Sequence, residues 1–118
     1  MKLSDFTLLK GDNCDLLAQI PERPDVVITS PPFDKLRKAS DTYCNTFDMD
    51  RLAGLLWEHM AANSVLVWQV YDAVSNGDKS CTSFDQCQTL RRHGFKLWDL
   101  CLYLKTSMYH RSPKRFYN

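Results

Sequence analysis

After Asp25 the chain reads Val26-Val27-Ile28-Thr29-Ser30-Pro31-Pro32-Phe33, and this stretch limits the fold more than any other. Three consecutive β-branched apolar residues without polar alternation predict a strand buried on both faces, the habit of parallel sheets. Two prolines follow at once. Neither can donate to a ladder, so the strand has to end at Ser30. A parallel neighbour can be reached only through a crossover of a dozen or more residues, usually helical.

The flanking sequence supplies such crossovers. Residues 6–10 (FTLLK) read as a short buried strand and Gly11-Asp12-Asn13 as the turn after it. Asp12 or Asn13 caps a helix through Ile20, with Leu16, Leu17 and Ile20 at helical spacing and Pro21 as its stop. A polar loop from Asp34 to about Phe47 leads to Asp48, the cap of a helix carrying Leu52, Leu55, Leu56 and His59 on one face. Residues 64–70 (SVLVWQV) predict a second buried strand, and Ser75-Asn76-Gly77-Asp78 a polar loop. Ser83 with Gln86 forms a capping box for a helix that ends at Gly94, its C′ residue. Residues 95–104 supply a last strand. The alternation predicts an α/β layered sheet, mostly parallel, with right-handed crossovers. Trp57, Trp68 and Trp98 fall in these helical or strand patterns and are expected in the core.

The 118 residues suffice for one domain with a modest core, and no internal boundary or repeat divides them. No apolar run approaches the roughly 20 residues a membrane helix needs. Asp5 interrupts the N-terminus before an apolar signal core forms, so a cytoplasmic location is expected. The five cysteines form no C-x-x-C pair and are expected to be reduced. Cys81, Cys87 and His93 match no common zinc spacing, and no metal site is expected. From Lys105 onward the charges are Lys105, Arg111, Lys114 and Arg115, with no acid among them. A basic tail of this kind suits phosphate contacts, and equally suits plain solvation.

Ligands of open α/β sheets bind beyond the carboxyl ends of the strands. Two polar clusters fall at such ends: Gly11-Asp12-Asn13 and Ser30-Pro31-Pro32-Phe33. In the second, the Ser30 hydroxyl and the Pro31 carbonyl are acceptors, Pro32 restricts Pro31 to an extended conformation, and Phe33 offers a stacking face. That set suits a flat ring bearing an amine.

Asp25 to Phe33 (DVVITSPPF) resembles the D-x-x-x-x-(D/N/S)-P-P-(Y/F) signature of S-adenosylmethionine-dependent amino-methyltransferases. The upstream Leu8-Leu9-Lys10-Gly11-Asp12 is similar to the strand-Gly-Asp preceding it in the permuted group of DNA enzymes. SPPFDKLR at residues 30–37, VWQVYDA at 67–73 with Thr82-Ser83-Phe84, GFKL at 94–97 and RFYN at 115–118 resemble further segments, in that group's order.

The resemblance implies a Rossmann-like methyltransferase sheet, and a reaction on the exocyclic amine of cytosine (N4) or adenine (N6) in DNA. Ser30 in first position leans toward cytosine. It implies Ser30, Pro31, Pro32 and Phe33 as the catalytic cluster and Asp12, with Ser30, as the contact to S-adenosylmethionine. Phe33, Arg37, Arg111, Lys114 and Arg115 would meet the nucleic acid. Asp72 lies in a matching position to which no role is attached. The likeness stops short of the group's F-x-G-x-G donor loop: Gly11, Gly54, Gly77 and Gly94 are the only glycines, none two apart. Residues 1–118 are therefore expected to form an incomplete, target-base half of a catalytic domain. Such a half lacks the donor-binding strands and is inactive alone, with a tail from about residue 106 leading toward a target-recognition region. Its expected partners are DNA and a missing C-terminal half, or a second copy through an open sheet edge. The competing readings are an RNA or protein-glutamine methyltransferase and a non-catalytic nucleic-acid- or partner-binding module.

Overall fold

The computed structural model describes residues 6–31 and 47–103. In chain order the elements are helix α1 (Asn13–Leu17), strand β1 (Val26–Thr29), helix α2 (Met49–His59), strand β2 (Val65–Trp68), strands β3 (Val74–Ser75) and β4 (Asp78–Lys79), and helix α3 (Thr82–Arg92). β1 and β2 pair in parallel, with Val26 opposite Val65 and Thr29 opposite Trp68. β3 and β4 form a separate antiparallel hairpin. The architecture is α/β around a two-stranded parallel sheet.

The central pairing is fixed at both ends. At the amino end, Val65 N–H donates to the Asp25 carbonyl at 2.8 Å and Ala61 N–H to the Pro24 carbonyl at 3.1 Å. At the carboxyl end, Gln69 N–H donates to the Thr29 carbonyl at 2.9 Å, so the two strands finish side by side. Alternate residues of each strand turn inward: Val27 on β1 and Leu66 and Trp68 on β2 pack against a core of Leu52, Leu56 and Met60. α2 presents Leu52 and Leu56 with the fully buried Ala53, the stripe expected of an amphipathic helix, and its C-cap Met60 completes the three. Asp48 caps it as its sequence position predicts, with Oδ1 accepting the Arg51 N–H at 2.9 Å. Cys14, Leu17, Phe47 and Phe95 close the rim of this core.

α3 is held at both ends by features of different kinds. Its C-terminus is a Schellman motif: Phe95 N–H donates to the Leu90 carbonyl at 3.2 Å and Gly94 N–H to the Arg91 carbonyl at 3.1 Å. Gly94 sits at φ +115°, as expected of a C′ glycine. The capping box expected at the other end does not form. Cys81 occupies the N-cap in a left-handed conformation without a side-chain cap bond, and Ser83 lies inside the first turn.

Several other expectations are corrected. Residues 6–10 form no strand and are exposed, and residues 95–103 have no regular structure. α1 ends at Leu17, before Ile20. The Ser75–Asp78 loop is a β-hairpin turning through Asn76 (φ 53°) and Gly77 (φ 83°), the left-handed pair of a type I′ turn. Only Trp68 is inside: Trp57 is half-exposed and Trp98 is 99% exposed. The sheet is covered on one face only. On the other, Val26, Ile28, Val65 and Val67 point to solvent. The apolarity of these segments signals burial, but the described residues provide no second layer to bury them.

Candidate active site

The parallel register decides where the candidate residues lie. Because β1 and β2 end together, Ser30-Pro31 and the segment leaving β2, residues 69–72, share the carboxyl edge of the sheet. Ser30 is exposed there and Pro31 is buried. The hydroxyl therefore stands open at the strand end while the adjoining ring is packed in place. Pro32, Phe33, Arg37, Arg111, Lys114 and Arg115 lie outside the described residues, as do the tail and most of the 34–47 loop.

Asp12 is the N-cap of α1, its Oδ1 accepting the Cys14 N–H at 2.8 Å. Its other carboxylate oxygen has no partner among the described residues, and the residue is exposed. Because residues 6–10 form no strand, Asp12 does not stand at a strand's carboxyl end as the sequence predicts; it stands at the start of α1. Beside it, burial pushes the Cys14 thiol up from its ordinary pKa, and the nearby Asp12 charge adds to the effect. Cys14 is a neutral thiol, poorly suited to act as a nucleophile. Among the described residues no three His, Cys, Asp or Glu side chains gather as a metal cluster.

The sequence left Asp72 without a role, and the structure supplies one. Its Oδ1 accepts the Ser83 N–H at 2.8 Å and its Oδ2 the Ser83 hydroxyl at 2.7 Å. A carboxylate eleven residues upstream thereby caps α3, replacing the missing local cap and complementing the helix dipole. The β3–β4 hairpin makes this possible by reversing the chain between the two residues. Ala73 N–H donates to Ser80 Oγ at 3.0 Å, and Ser80 N–H to the Ala73 carbonyl at 2.9 Å. Both Asp72 oxygens are engaged by Ser83, so the carboxylate ties the carboxyl edge to the start of α3. Trp68 strengthens the same connection: its Nε1–H donates to Gln86 Oε1 at 2.9 Å, tying the end of β2 to buried Gln86 of α3. The Asn-Gly dipeptide was the one sequence signal that could have located this arrangement.

The backbone N–H of Ser83, helped by its hydroxyl, holds the Asp72 carboxyl below the usual aspartate range. A depressed folded pKa stabilises the chain above the unfolded value of about 3.9, and the contribution is lost as pH falls through the folded value. Asp72→Asn should therefore lower thermal stability at pH 7 and flatten the acid limb below about pH 5. The loss expected for a cap is about 1 kcal/mol. Parallel melting curves of the two proteins across that range check it; identical acid limbs would refute the cap.

A rigid α/β corner of this kind, with an open hydroxyl at the carboxyl edge of parallel strands, is where ligands of such sheets bind. No protein-family model matches the chain, and no solved structure matches it. Among curated proteins it is 31% identical over 93 residues to the orphan methyltransferase M.BamHII of Bacillus amyloliquefaciens. That match covers 79% of this chain and 34% of the relative, so the chain spans about a third of the relative's length. The similarity supports a relationship to methyltransferases, the class that the motifs also resemble.

Proposed function

We propose that this chain carries the target-amine side of a DNA amino-methyltransferase, with Ser30 and Pro31 as its reactive corner. The observation that carries the reading is the in-register end of β1 and β2, with Ser30 exposed and Pro31 buried, in a chain similar to a methyltransferase.

The chemistry follows from the nitrogen. An exocyclic base amine is a poor nucleophile because its lone pair is delocalised into the ring. Ser30 Oγ and the Pro31 carbonyl accept its two N–H bonds, favour a pyramidal nitrogen and free the lone pair. The freed lone pair attacks the donor's sulfonium methyl in line, so that the N–C bond forms as the C–S bond breaks and the donor leaves as a neutral thioether. As the nitrogen becomes positive, the same two acceptors stabilise it and hold its proton until release. Fixed near-attack geometry contributes up to about 7–11 kcal/mol in favourable cases. The base has to leave the duplex to reach this corner. Phe33, two residues beyond Pro31, is assigned to stack on it, for about 1–3 kcal/mol. Asp12 is assigned to the donor's adenine amine, and Arg37, Arg111, Lys114 and Arg115 to phosphates. The serine favours cytosine N4 over adenine N6 as the target. The sequence holds no G-x-G pair of the kind that shapes the family's donor loop, so the isolated chain is expected to show no multiple turnover on unmethylated DNA.

Calorimetric titration of S-adenosylmethionine into the chain tests the reading. Binding that weakens in Asp12→Ala supports it. No binding to a folded chain favours the second reading, a non-catalytic nucleic-acid- or partner-binding module, toward which the absence of any G-x-G pair already leans.

A further inference from the structure

The hairpin that brings Asp72 to Ser83 turns on a reactive dipeptide. β3 and β4 pair Val74 with Lys79 and Ser75 with Asp78, so Asn76 and Gly77 are the two turn residues. A side-chain amide followed by glycine is open to attack by the next backbone nitrogen, because glycine has no side chain to obstruct it. Three asparagines lie among the described residues, and the nitrogen that follows is held differently in each. After Asn13, the Cys14 N–H donates to Asp12 Oδ1 at 2.8 Å. After Asn63, the Ser64 N–H donates to the Ala61 carbonyl at 3.2 Å. The Gly77 N–H makes no backbone hydrogen bond among the described residues. A Cβ built on Gly77 would meet nothing within 4 Å among them, and Asn76 is exposed among them too.

We propose that Asn76 is a site of spontaneous deamidation, and that its isoaspartate product uncaps α3. The Gly77 nitrogen gives its proton to solvent base and attacks Asn76 Cγ. An N–C bond forms, the bond from Cγ to the amide nitrogen breaks, and ammonia leaves as a succinimide closes. Water then opens the ring at either carbonyl. One opening gives aspartate. The other breaks the bond between the main-chain carbonyl carbon and Gly77 N, and routes the chain through Cγ as isoaspartate.

Attack requires the turn to open, because both residues are fixed in left-handed conformations. A ladder of two residue pairs offers little resistance, a hairpin this short being marginal by itself. The isoaspartate chain carries one more methylene than a two-residue type I′ turn accommodates. The register of Val74 with Lys79 is then lost. With it go the Ala73–Ser80 bonds that hold Asp72 opposite Ser83. None of this chemistry depends on what the Ser30 corner methylates.

The test is incubation of the folded chain in mildly alkaline buffer, followed by peptide mapping. Mass spectrometry with electron-transfer fragmentation separates aspartate from isoaspartate at each position. Asn76 is expected to convert about tenfold faster than Asn13 or Asn63, the factor set by one hydrogen bond on each competing nitrogen. Ion exchange isolates the isoaspartate form by its added negative charge, and its melting curves should show the flattened acid limb expected of Asp72→Asn. Asn76→Gly has no side-chain amide, and its Gly-Gly turn keeps both left-handed positions; incubated in parallel, it should retain the full limb. Should that variant not fold, freshly purified unmodified chain serves as the reference. Equal conversion of Asn13 or Asn63 would overturn the site. So would an Asn76 that reacts in the urea-unfolded chain and not in the folded one, since the turn would then protect it. An isoaspartate form with an unchanged acid limb would overturn the coupling to α3.

Discussion

Gly94→Ala is expected to destabilise the folded chain by about 3 kcal/mol, from two independent costs at one position. The residue holds φ at +115°, a region that L-residues rarely adopt. A Cβ built there would also lie 2.7 Å from Cζ2 of Trp57 and 2.9 Å from its Cε2, closer than atoms can approach without movement. The ring is half-exposed and can move only by giving up its edge-to-face contact with Phe95, centroids 5.2 Å apart and planes at 78°. Phe95 in turn closes the core and donates the Schellman bond to Leu90. Relieving the clash thus disturbs the helix end and the core together. Urea denaturation of Gly94→Ala, Trp57→Ala and the double variant separates the two costs. The double variant should lose less than the sum of the singles, by about 1 kcal/mol, because the alanine methyl no longer meets a ring. Additive losses would mean that backbone conformation alone requires the glycine.

Sequence reasoning succeeded where local chemistry decides and failed where burial has to come from elsewhere. Asp12, Asp48 and Gly94 act at helix ends through groups a few residues away, and each was readable from position. β1 and β2 were readable because their β-branched runs are bounded by Pro31 and by a polar turn. The expected capping box at Ser83 failed for a physical reason: a stronger acceptor, the Asp72 carboxylate, was brought in by a hairpin. Asn76-Gly77 announced that hairpin, yet the surrounding polarity read as a loop. Residues 6–10 and 95–103 failed differently. Their composition suits a strand, but strands are stabilised by neighbours, and none of the described residues pairs with them. Trp98 was expected inside for the same reason and is bare. Of the candidate residues, Ser30 and Pro31 follow β1 and Asp12 caps α1 as their positions predict, but the strand expected before Asp12 is absent, and Asp72 acquired its role only from the fold.

On the proposed reading, Ser30→Ala in a chimera of this chain with the remainder of its relative is expected to slow methyl transfer by about 10²-fold, near 2.7 kcal/mol of transition-state stabilisation, the scale of losing one preorganised hydrogen-bond partner. The loss should fall on kcat, because the acceptor matters most once the nitrogen carries positive charge. Ser30 is exposed, so its hydroxyl is worth little to folding, within about 0.5 kcal/mol. Activity and stability should therefore separate in this variant, in contrast to Gly94→Ala. A KM effect with kcat unchanged would make Ser30 a simple binding contact.

The most direct measurement joins this chain to the remainder of its relative, substituting it for the matching 93-residue segment. The chimera is incubated with methyl-labelled S-adenosylmethionine and unmethylated DNA, and the digested nucleosides are identified by mass spectrometry. The account predicts label on an exocyclic nitrogen, cytosine N4 ahead of adenine N6, and about a hundredfold less of it in a folded Ser30→Ala chimera. Label on cytosine C5, label unaffected by Ser30→Ala, or none from a folded chimera would contradict it.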